Sequence, residues 1–338
     1  MRAALIGLGA MGRGHLDNYI RILKEGGPLQ LVAVCDVDPA KFENSKGQLN
    51  LEGIGDSTYD FSQFHCYHNV DEMLAKEDLE FVTIALPTFL HCVTAVKCLQ
   101  HGLHVLCEKP MAMDEAECRL MIETANQMQK QLMIGHCLRF WGEYEYLKQT
   151  ILNETYGKPV AAYFYRGGST PMWSFENWLL KAECGGGAVY DQHVHDVDTV
   201  QYMFGMPGEV STLGKVVIPG SNFDTVSTNY YYPDLIVNSQ NDWTLSGYAF
   251  SMGFRVNFEH GTMLMDRDGF HVAATGEAFY EPSYDKENAY YKEVLYFADC
   301  ILNHKQNTIN PPEDSMQTIL LVHAEIKSAK SGGKPVAL

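Results

Sequence analysis

Two side chains suited to acid–base chemistry stand four residues apart after a run of three glycines. Asp191 and His195 follow Gly185-Gly186-Gly187, and their spacing puts both on one face if the segment is helical. A carboxylate beside an imidazole can orient the ring and hold its pKa in a range useful for proton transfer. We therefore predict proton transfer as the first role of this pair, with a structural His–Asp pair as the second.

A metal site is the third interpretation of this segment, because His193 lies between the two and the series Asp-x-His-x-His could supply ligands. Residues two apart on a continuous helix point in different directions, and no further group of ligands stands out elsewhere. We therefore expect no metal. Asp198 continues the face of Asp191 and His195, and the helix is predicted to end near Gly205.

A glycine-rich turn, Gly7-Leu8-Gly9-Ala10-Met11-Gly12, joins the first predicted strand to the first predicted helix. In this pattern the first glycine permits a tight turn, the second lets backbone approach a pyrophosphate, and the third lets the helix pack closely on the strand. The alternative is a chance glycine turn, and the position inside the first strand–turn–helix unit argues against it. We predict that the whole turn, Ala10 and Met11 included, binds a dinucleotide.

Asp36 ends the second predicted strand and is placed to accept hydrogen bonds from an adenosine ribose. A carboxylate there repels a 2′-phosphate, so NAD is favoured over NADP. The next two strands end in Leu86-Pro87 and Glu108-Lys109-Pro110, and carboxyl ends of parallel strands line the ligand crevice of an open sheet. A cis bond before Pro110 would turn Lys109 into that crevice. An ordinary turn at the strand end is an equal alternative.

The elements that must position these residues follow two patterns. Short strands buried on both faces alternate with helices as far as about residue 135, which predicts a doubly wound parallel sheet. Segments rich in Val, Tyr, Phe and Thr then predict an antiparallel meander. The predicted strands are 3–6, 31–35, 81–85, 105–107, 132–134, 158–166, 209–218, 225–232, 242–258, 261–266 and 269–274, and the predicted helices are 12–25, 70–76, 90–101, 114–130, 142–153, 286–302 and 313–330. The segment 45–64 is predicted to be a polar loop.

Composition excludes several classes of partner. The 338 residues include 25 Lys and Arg against 42 Asp and Glu, a net charge of −17, whereas nucleic acids and anionic membranes need a basic surface. No stretch approaches the roughly 20 apolar residues that span a bilayer. The nine cysteines are odd in number and scattered, which favours a reducing compartment over a disulfide framework. We expect a soluble cytoplasmic protein.

These motifs, in this order and spacing, resemble the Gfo/Idh/MocA family of NAD(P)-dependent oxidoreductases over nearly the whole chain. The resemblance implies a fold of the α/β class: a Rossmann domain over 1–135, then an α+β domain with an open, mostly antiparallel sheet over 136–338, whose last helix can pack back on the first. The matching residues are the glycine turn continuing to His15, Pro87 with His91, Glu108-Lys109-Pro110, Arg139-Phe140, Gly157-Lys158-Pro159, the triple glycine with Asp191, His195 and Asp198, and Ser328-Ala329.

The resemblance also implies a reaction, hydride transfer between NAD(P) and a secondary alcohol of a sugar, inositol or sugar derivative. Lys109, Asp191 and His195 match the family's catalytic trio. His195 would be the general base, Asp191 would orient it or share its proton, and Lys109 would hydrogen-bond the reacting oxygen. The cofactor would contact the matched motifs, namely Gly7, Gly9, Ala10, Met11, Gly12, Asp36, Leu86, Pro87, His91, Glu108 and Lys109.

Two other functions stay open. One enzyme of similar type retains NAD and oxidises a sugar carbon transiently so that a glycosidic group is eliminated. The other is a nucleotide-binding sensor without chemistry, against which the presence of the whole trio argues. The resemblance further implies a homo-oligomer, a dimer or tetramer formed through the C-terminal sheet, with 228–232 and 248–254 as candidate contacts.

The substrate side has one departure from the family, since His193 stands where many members carry a small residue, often glycine. That ring could fill part of the pocket, contact a hydroxyl or change which substrate position faces the nicotinamide. Trp173 and Trp178 are candidates for stacking on a sugar, with plain core packing slightly preferred for each. Arg139 and Arg166 either contact substrate or pair with the surplus acids, and the surplus favours pairing.

Overall fold

The computed structural model describes residues 1–43 and 58–338. The described chain forms two compact units, each built from two segments: 1–137 with 290–316, and 138–289 with 317–338. The domain boundary predicted near residue 135 placed all later residues in the second domain, whereas residues 290–316 belong to the first unit of the structure. Residues 45–57 of the predicted polar loop lie outside the described residues. The rest of that loop, 58–64, contains a short 3₁₀ helix, Phe61–Gln63.

The first unit contains a six-stranded parallel sheet, as predicted from its buried strands. Its strands lie in the order β3-β2-β1-β4-β5-β6, so all their carboxyl ends meet at one edge. Sequence analysis missed only β3, which has three residues and no buried one. The strands are β1 Arg2–Ile6, β2 Gln30–Cys35, β3 His65–Tyr67, β4 Phe81–Ile84, β5 His104–Glu108 and β6 Leu132–Gly135.

Four helices alternate with these strands: α1 Ala10–Lys24, α2 Val70–Lys76, α3 His91–Gln100 and α4 Glu115–Gln127. The predicted start of α4 is confirmed, because the Asp114 side chain accepts hydrogen bonds from the backbone N–H groups of Ala116 and Glu117. Apart from the edge strand β3, the sheet is largely buried on both faces, as crossover helices require.

The second unit contains a mixed, mostly antiparallel sheet of eight strands in the order β13-β12-β11-β7-β10-β9-β8-β14. Among the described strands of this second sheet, only β7 and β10 pair in parallel. The strands are β7 Pro159–Gly167, β8 Glu209–Lys215, β9 Thr225–Tyr231, β10 Ile236–Asp242, β11 Ser251–Phe258, β12 Gly261–Asp266, β13 Gly269–Ala274 and β14 Val336–Ala337, and the helices of this unit include α5 Gly142–Leu152, α6 Ala188–Asp191 and α7 Val194–Phe204. Helix α8, Ala289–Leu302, belongs to the first unit from residue 290 on, and α9, Pro312–Lys330, belongs to the second unit from residue 317 on. Helices α6 and α7 pack on one face, against β7, β9 and β10.

The sequence prediction differs from this sheet at three strands. The strand predicted over 242–258 begins only at Ser251, and β10 and the two-residue β14 were missed. Along β10 the buried positions are Val237, Ser239 and Asn241, so two of the three side chains that face the helices are polar. Hydrophobic alternation therefore could not reveal this strand.

Candidate functional site

The glycine turn after β1 is shaped by backbone contacts at both ends and is open in the middle. Gly7 has φ of +95°, and a Cβ there would overlap the carbonyl oxygen of Ala85. A Cβ on Gly12 would overlap the carbonyl oxygen of Gly7, whereas one on Gly9 would meet no atom within 4 Å. Because α1 starts at Ala10, its free N–H groups and positive end lie at this open point. These features fit the pyrophosphate of a dinucleotide.

The Asp36 carboxylate is tied to the same turn. Its Oδ2 accepts a hydrogen bond of 2.7 Å from the backbone N–H of Leu8, and its Oδ1 accepts one of 2.9 Å from the N–H of Asp38. The side chain is half-buried, and the next residue, Val37, is 83% exposed. The carboxylate thus has a fixed position at the carboxyl end of β2, as a ribose contact requires.

The turns after β4 and β5 are joined by a buried histidine. His91 lies 2.8 Å from the carbonyl oxygen of Leu86 through Nε2 and 2.8 Å from that of Pro110 through Nδ1. Burial lowers the pKa of His91 from its ordinary value, and the two carbonyls oppose that shift. Leu86 and Pro87 on one side and Lys109 and Pro110 on the other are therefore held by one side chain.

A second buried pair lies behind Lys109. His15 Nε2 of α1 is 2.7 Å from Glu108 Oε1 at the end of β5, and Glu108 Oε2 accepts a hydrogen bond of 3.2 Å from the backbone N–H of Lys109. Burial acts to raise the pKa of Glu108, but His15 and then Lys109 hold it below its ordinary value. The Lys109–Pro110 bond is cis, as the sequence allowed, and the Lys109 side chain is half-exposed.

In the second unit the triple glycine is packed against protein at every position. A Cβ on Gly185 would lie 2.6 Å from Leu179 Cα, and one on Gly187 would lie 3.0 Å from Asn222 Cβ. Gly186 and Gly187 both have φ of +75°, and a Cβ on Gly186 would overlap the ring of Tyr190. These glycines therefore serve close approach of the backbone to neighbouring parts of the protein.

The single helix predicted after the glycines is interrupted between Asp191 and His195. The N–H groups of Gln192 and His193 both donate to the carbonyl oxygen of Ala188, at 2.9 and 2.8 Å, so one residue is inserted into the helical repeat. Asp191 ends α6 and His195 lies in the first turn of α7, and both side chains keep partial exposure while residues 192–194 and 196–201 are buried. The predicted end at Gly205 is confirmed, with φ of +77°.

Both arginines proposed for the substrate are buried and paired with acids. Arg139 donates to Asp198 through Nε at 3.0 Å and Nη2 at 2.7 Å, and Thr318 Oγ1 donates to the same carboxylate at 3.0 Å. Arg166 donates to Asp196 through Nε at 3.2 Å and Nη2 at 3.1 Å. These bidentate pairs fasten α7 to its neighbours.

The other substrate candidates also have protein contacts. Trp173 and Trp178 pack against the buried cluster of Leu179, Leu180, Ala188 and Trp243. His193 is fully buried, with Nε2 2.9 Å from Glu325 Oε2 of α9. Within 1–43 and 58–338, no three His, Cys, Asp or Glu side chains are grouped so as to hold a metal ion. Over the same residues, no helix is long and apolar enough to cross a membrane.

Sequence reasoning missed Glu325, although the sequence carried a signal for it. Thr318, Leu321, Val322, Glu325 and Ser328 are all fully buried along α9. Their spacing of three and four residues marks one helix face. A glutamate on such a face needs a buried partner. The sequence therefore indicated that Glu325 has a partner, although it did not indicate which residue.

A parallel sheet with this glycine turn after β1 and a carboxylate after β2 defines a dinucleotide-binding Rossmann domain. The sequence profile of the GFO/IDH/MocA oxidoreductase family, NAD-binding Rossmann fold, matches residues 1–136, and that of the GFO/IDH/MocA C-terminal domain matches residues 144–264. The chain belongs to the Gfo/Idh/MocA family.

Known relatives are similar at low identity. The chain is 29% identical over 236 residues to 2,7-anhydro-N-acetylneuraminate hydratase of Mediterraneibacter gnavus, covering 68% of this chain and 59% of that protein. It is 24% identical over 314 residues to inositol 2-dehydrogenase of Salmonella paratyphi B, covering 92% and 82%. The first curated relatives are matched over only 42% to 59% of their own length.

Among solved structures, the WlbA dehydrogenase from Bordetella pertussis, in complex with NADH and UDP-GlcNAcA, has a TM-score of 0.80 at 20% identity. The alignment covers 100% of this chain and 98% of that one. At this identity the likeness is one of fold.

Proposed function

We propose that the protein is an NAD-dependent dehydrogenase acting on a secondary alcohol of a sugar, inositol or sugar derivative. The observation that carries the proposal is the pattern of exposure along α6 and α7. Asp191 and His195 remain partly exposed in a segment whose other residues from 192 to 201 are buried. The inositol dehydrogenase relative, matched over most of both chains, supports an alcohol of this class.

Bound NAD would supply the hydride acceptor, and the chain's residues would handle the proton and the alignment. The imidazole of His195 would take the hydroxyl proton, and the Asp191 carboxylate would orient the ring or share that proton. The ammonium of Lys109 would donate a hydrogen bond to the reacting oxygen and stabilise its negative charge. His91 would join the turn of Leu86 to the turn of Lys109 and Pro110, and the His15–Glu108 pair would hold the backbone of Lys109.

For the cofactor, we propose Gly7, Gly9, Ala10, Met11 and Gly12 as the pyrophosphate site and Asp36 as the ribose contact. The carboxylate fixed by Leu8 N–H favours NAD over NADP, because it would repel a 2′-phosphate. Leu86 and Pro87 would complete the cofactor site at the end of β4. His91 and Glu108, which the sequence also placed in contact with the cofactor, are buried on protein partners and would act only by holding this edge of the sheet.

The test is turnover of a panel of inositols, hexoses, glycosides and sugar nucleotides, followed by NADH absorbance. His195→Ala should lower kcat by about 100-fold or more, since general-base catalysis contributes on that order, and should leave the NADH Kd within twofold. His260→Ala, an exposed histidine of the same unit, is the control and should retain activity. Equal loss of turnover and NADH affinity in His195→Ala would reject the general-base role.

A second candidate is an enzyme that retains NAD through a cycle with no net oxidation. The relative named a hydratase supports this candidate, because adding water changes no net oxidation state. Product formation without accumulation of NADH would identify it.

We also propose that the exposed sheet face joins two or more copies of the chain. Tyr231 at the end of β9 and Ile236 at the start of β10 are 45% and 73% exposed. A monomer mass in solution at micromolar concentration would overturn this proposal.

A further inference from the structure

The histidine between Asp191 and His195 is held from the side of the last long helix. His193 Nε2 lies 2.9 Å from Glu325 Oε2, and the two residues are 132 positions apart in sequence. Both side chains have 0% exposure. The ring of His193 is thus committed to α9 through its one paired nitrogen.

The buried surroundings define which nitrogen carries the proton. Nδ1 of His193 has no hydrogen-bond partner among the described residues, and the carboxylate of Glu325 can only accept when ionised. A hydrogen on Nε2 therefore satisfies the pair, whereas a second hydrogen on Nδ1 would be buried without an acceptor. The pair therefore fixes the orientation of the ring, with Nε2 and not Nδ1 directed at Glu325.

Tyr230 of β9 lies against the same carboxylate. Burial, and then the charge of Glu325, raises the pKa of Tyr230 well above its ordinary value, so the phenol keeps its proton. The hydrogen-bonding partner of Glu325 is therefore His193, in the segment between α6 and α7, whereas the Tyr230 hydroxyl of the sheet lies nearby without a hydrogen bond to the carboxylate. A buried carboxylate in this setting depends on His193, because loss of that partner leaves it poorly satisfied.

His193 also lies at the position where the helix is interrupted. Its N–H donates to Ala188 of α6, and its carbonyl oxygen accepts from the N–H groups of Asp196 and Val197 at 2.9 and 3.0 Å. The backbone of this one residue therefore joins the start of α6 to the first turn of α7. The His193 side chain is held by Glu325. A change at the Glu325 carboxylate would therefore act on the backbone between Asp191 and His195.

We propose that His193 and Glu325 are positioning residues that set the angle between α6 and α7, and with it the separation of the Asp191 carboxylate and the His195 imidazole. The role in catalysis rests on the proposed function, in which these two groups transfer the proton. In this arrangement the polar atom of His193 serves Glu325 and does not contact a substrate hydroxyl.

The decisive experiment compares His193→Gly, which removes the ring, with His193→Gln, whose amide can still donate to Glu325. In His193→Gly and in Glu325→Gln, kcat should fall about 10-fold and the pKa values of the kcat–pH profile should move by at least about half a unit. The NADH Kd should stay within twofold. His193→Gln should recover most of kcat and the original profile.

Thr228→Val is the matched control, because it removes another buried hydrogen bond of the same unit, the 2.9 Å contact with Thr212. It should lower Tm and leave the pH profile unchanged. If His193→Gly and Glu325→Gln behave like Thr228→Val, with a lower Tm and an unchanged kcat–pH profile, the positioning role is wrong.

A readout without turnover separates this inference from the proposed function. The titration of the His195 ring, followed by NMR in protein labelled at histidine, should shift in His193→Gly and in Glu325→Gln and return in His193→Gln. A shift in a protein that oxidises no sugar would uphold the positioning role and reject the dehydrogenase. An unchanged titration in folded variants would reject the positioning role whatever the substrate, and if Glu325→Gln fails to fold, the two His193 variants decide.

Discussion

Two glycine-rich segments of this chain precede helices, and they use glycine for different purposes. In 7–12, the outer glycines Gly7 and Gly12 avoid clashes with backbone carbonyls, while Gly9 faces open space. In 185–187, a Cβ at each of the three positions would come within 3.0 Å of another protein atom or overlap it. The first segment leaves room for a ligand at one position, and the second leaves room for none.

A glycine pattern is evidence for a ligand only where an added side chain would find space. Glycines that pack against backbone or rings shape the protein itself. Gly185, Gly186 and Gly187 bring α6 close to the cluster around Leu179, and so act on Asp191 only through the position of the helix. Substitutions can test each half of this contrast.

The largest effect is expected for Gly12→Ala. The added methyl would overlap the carbonyl oxygen of Gly7, and backbone on both sides cannot move without breaking the contact of α1 with β1. We expect a loss of about 3 kcal/mol or more in the free energy of unfolding, seen as low soluble yield and a lower Tm. A Tm within about 2 °C of the wild type would contradict the packing role.

Gly186→Ala should come next. Its φ of +75° disfavours alanine, and the overlap is with the Tyr190 ring, which is a side chain that can shift. We expect a loss of about 1–3 kcal/mol of stability with NADH affinity unchanged. Weaker NADH binding at an unchanged Tm would show that this segment contacts the cofactor and would remove the contrast.

Gly9→Ala should show the opposite pattern. The added methyl meets no atom within 4 Å, so Tm should hold. The NADH Kd should rise about 10-fold, or 1.4 kcal/mol, because the methyl would occupy the approach of the pyrophosphate. Calorimetric titration with NADH gives the measurement, and a lower Tm at unchanged affinity would place Gly9 with the packing glycines.

The smallest effect on stability concerns pH and one histidine of the first unit. Burial, followed by Lys130, lowers the pKa of His104 to about 4, and its Nδ1 accepts a hydrogen bond of 3.0 Å from the N–H of Gln131. The folded state therefore binds fewer protons than the unfolded state between pH 6.5 and about 4. Stability should fall as pH decreases through that window.

With allowance for partial exposure, the loss should be on the order of 1–2 kcal/mol. Denaturant unfolding at several pH values measures it. His104→Asn, which can still accept from Gln131, should flatten the slope, and an equal slope in the variant would assign the acid sensitivity to other groups.

The sequence predicted most of the fold because the parallel strands are buried on both faces and their apolar runs are unbroken. It also predicted the glycine turn and Asp36, where spacing along the chain reflects proximity in space. It missed β10, since Ser239 and Asn241 are polar at buried positions. It missed the helix interruption as well, because the shared acceptor at Ala188 follows from tertiary packing and not from residue spacing.

The pairings in the second unit were the hardest to predict. Arg139 and Asp198 are 59 residues apart, and His193 and Glu325 are 132 apart. A single sequence shows that such charges need partners and does not show which. Burial on a helix face narrows the choice, as it does for Glu325.

The discontinuity of the first unit has a consequence for how the protein is made. Phe297 packs on Phe81 with ring centroids 5.6 Å apart, and the side chain of Asn310 donates to the carbonyl oxygen of Ile134. All residues of the sheet are synthesised by 137, but these partners belong to 290–316. At ~5–20 residues per second, the growing chain would wait on the order of 10 to 40 s with that surface uncovered. During that interval the apolar surface that Phe297 later covers is exposed, which makes the nascent first unit the part of the chain most open to aggregation.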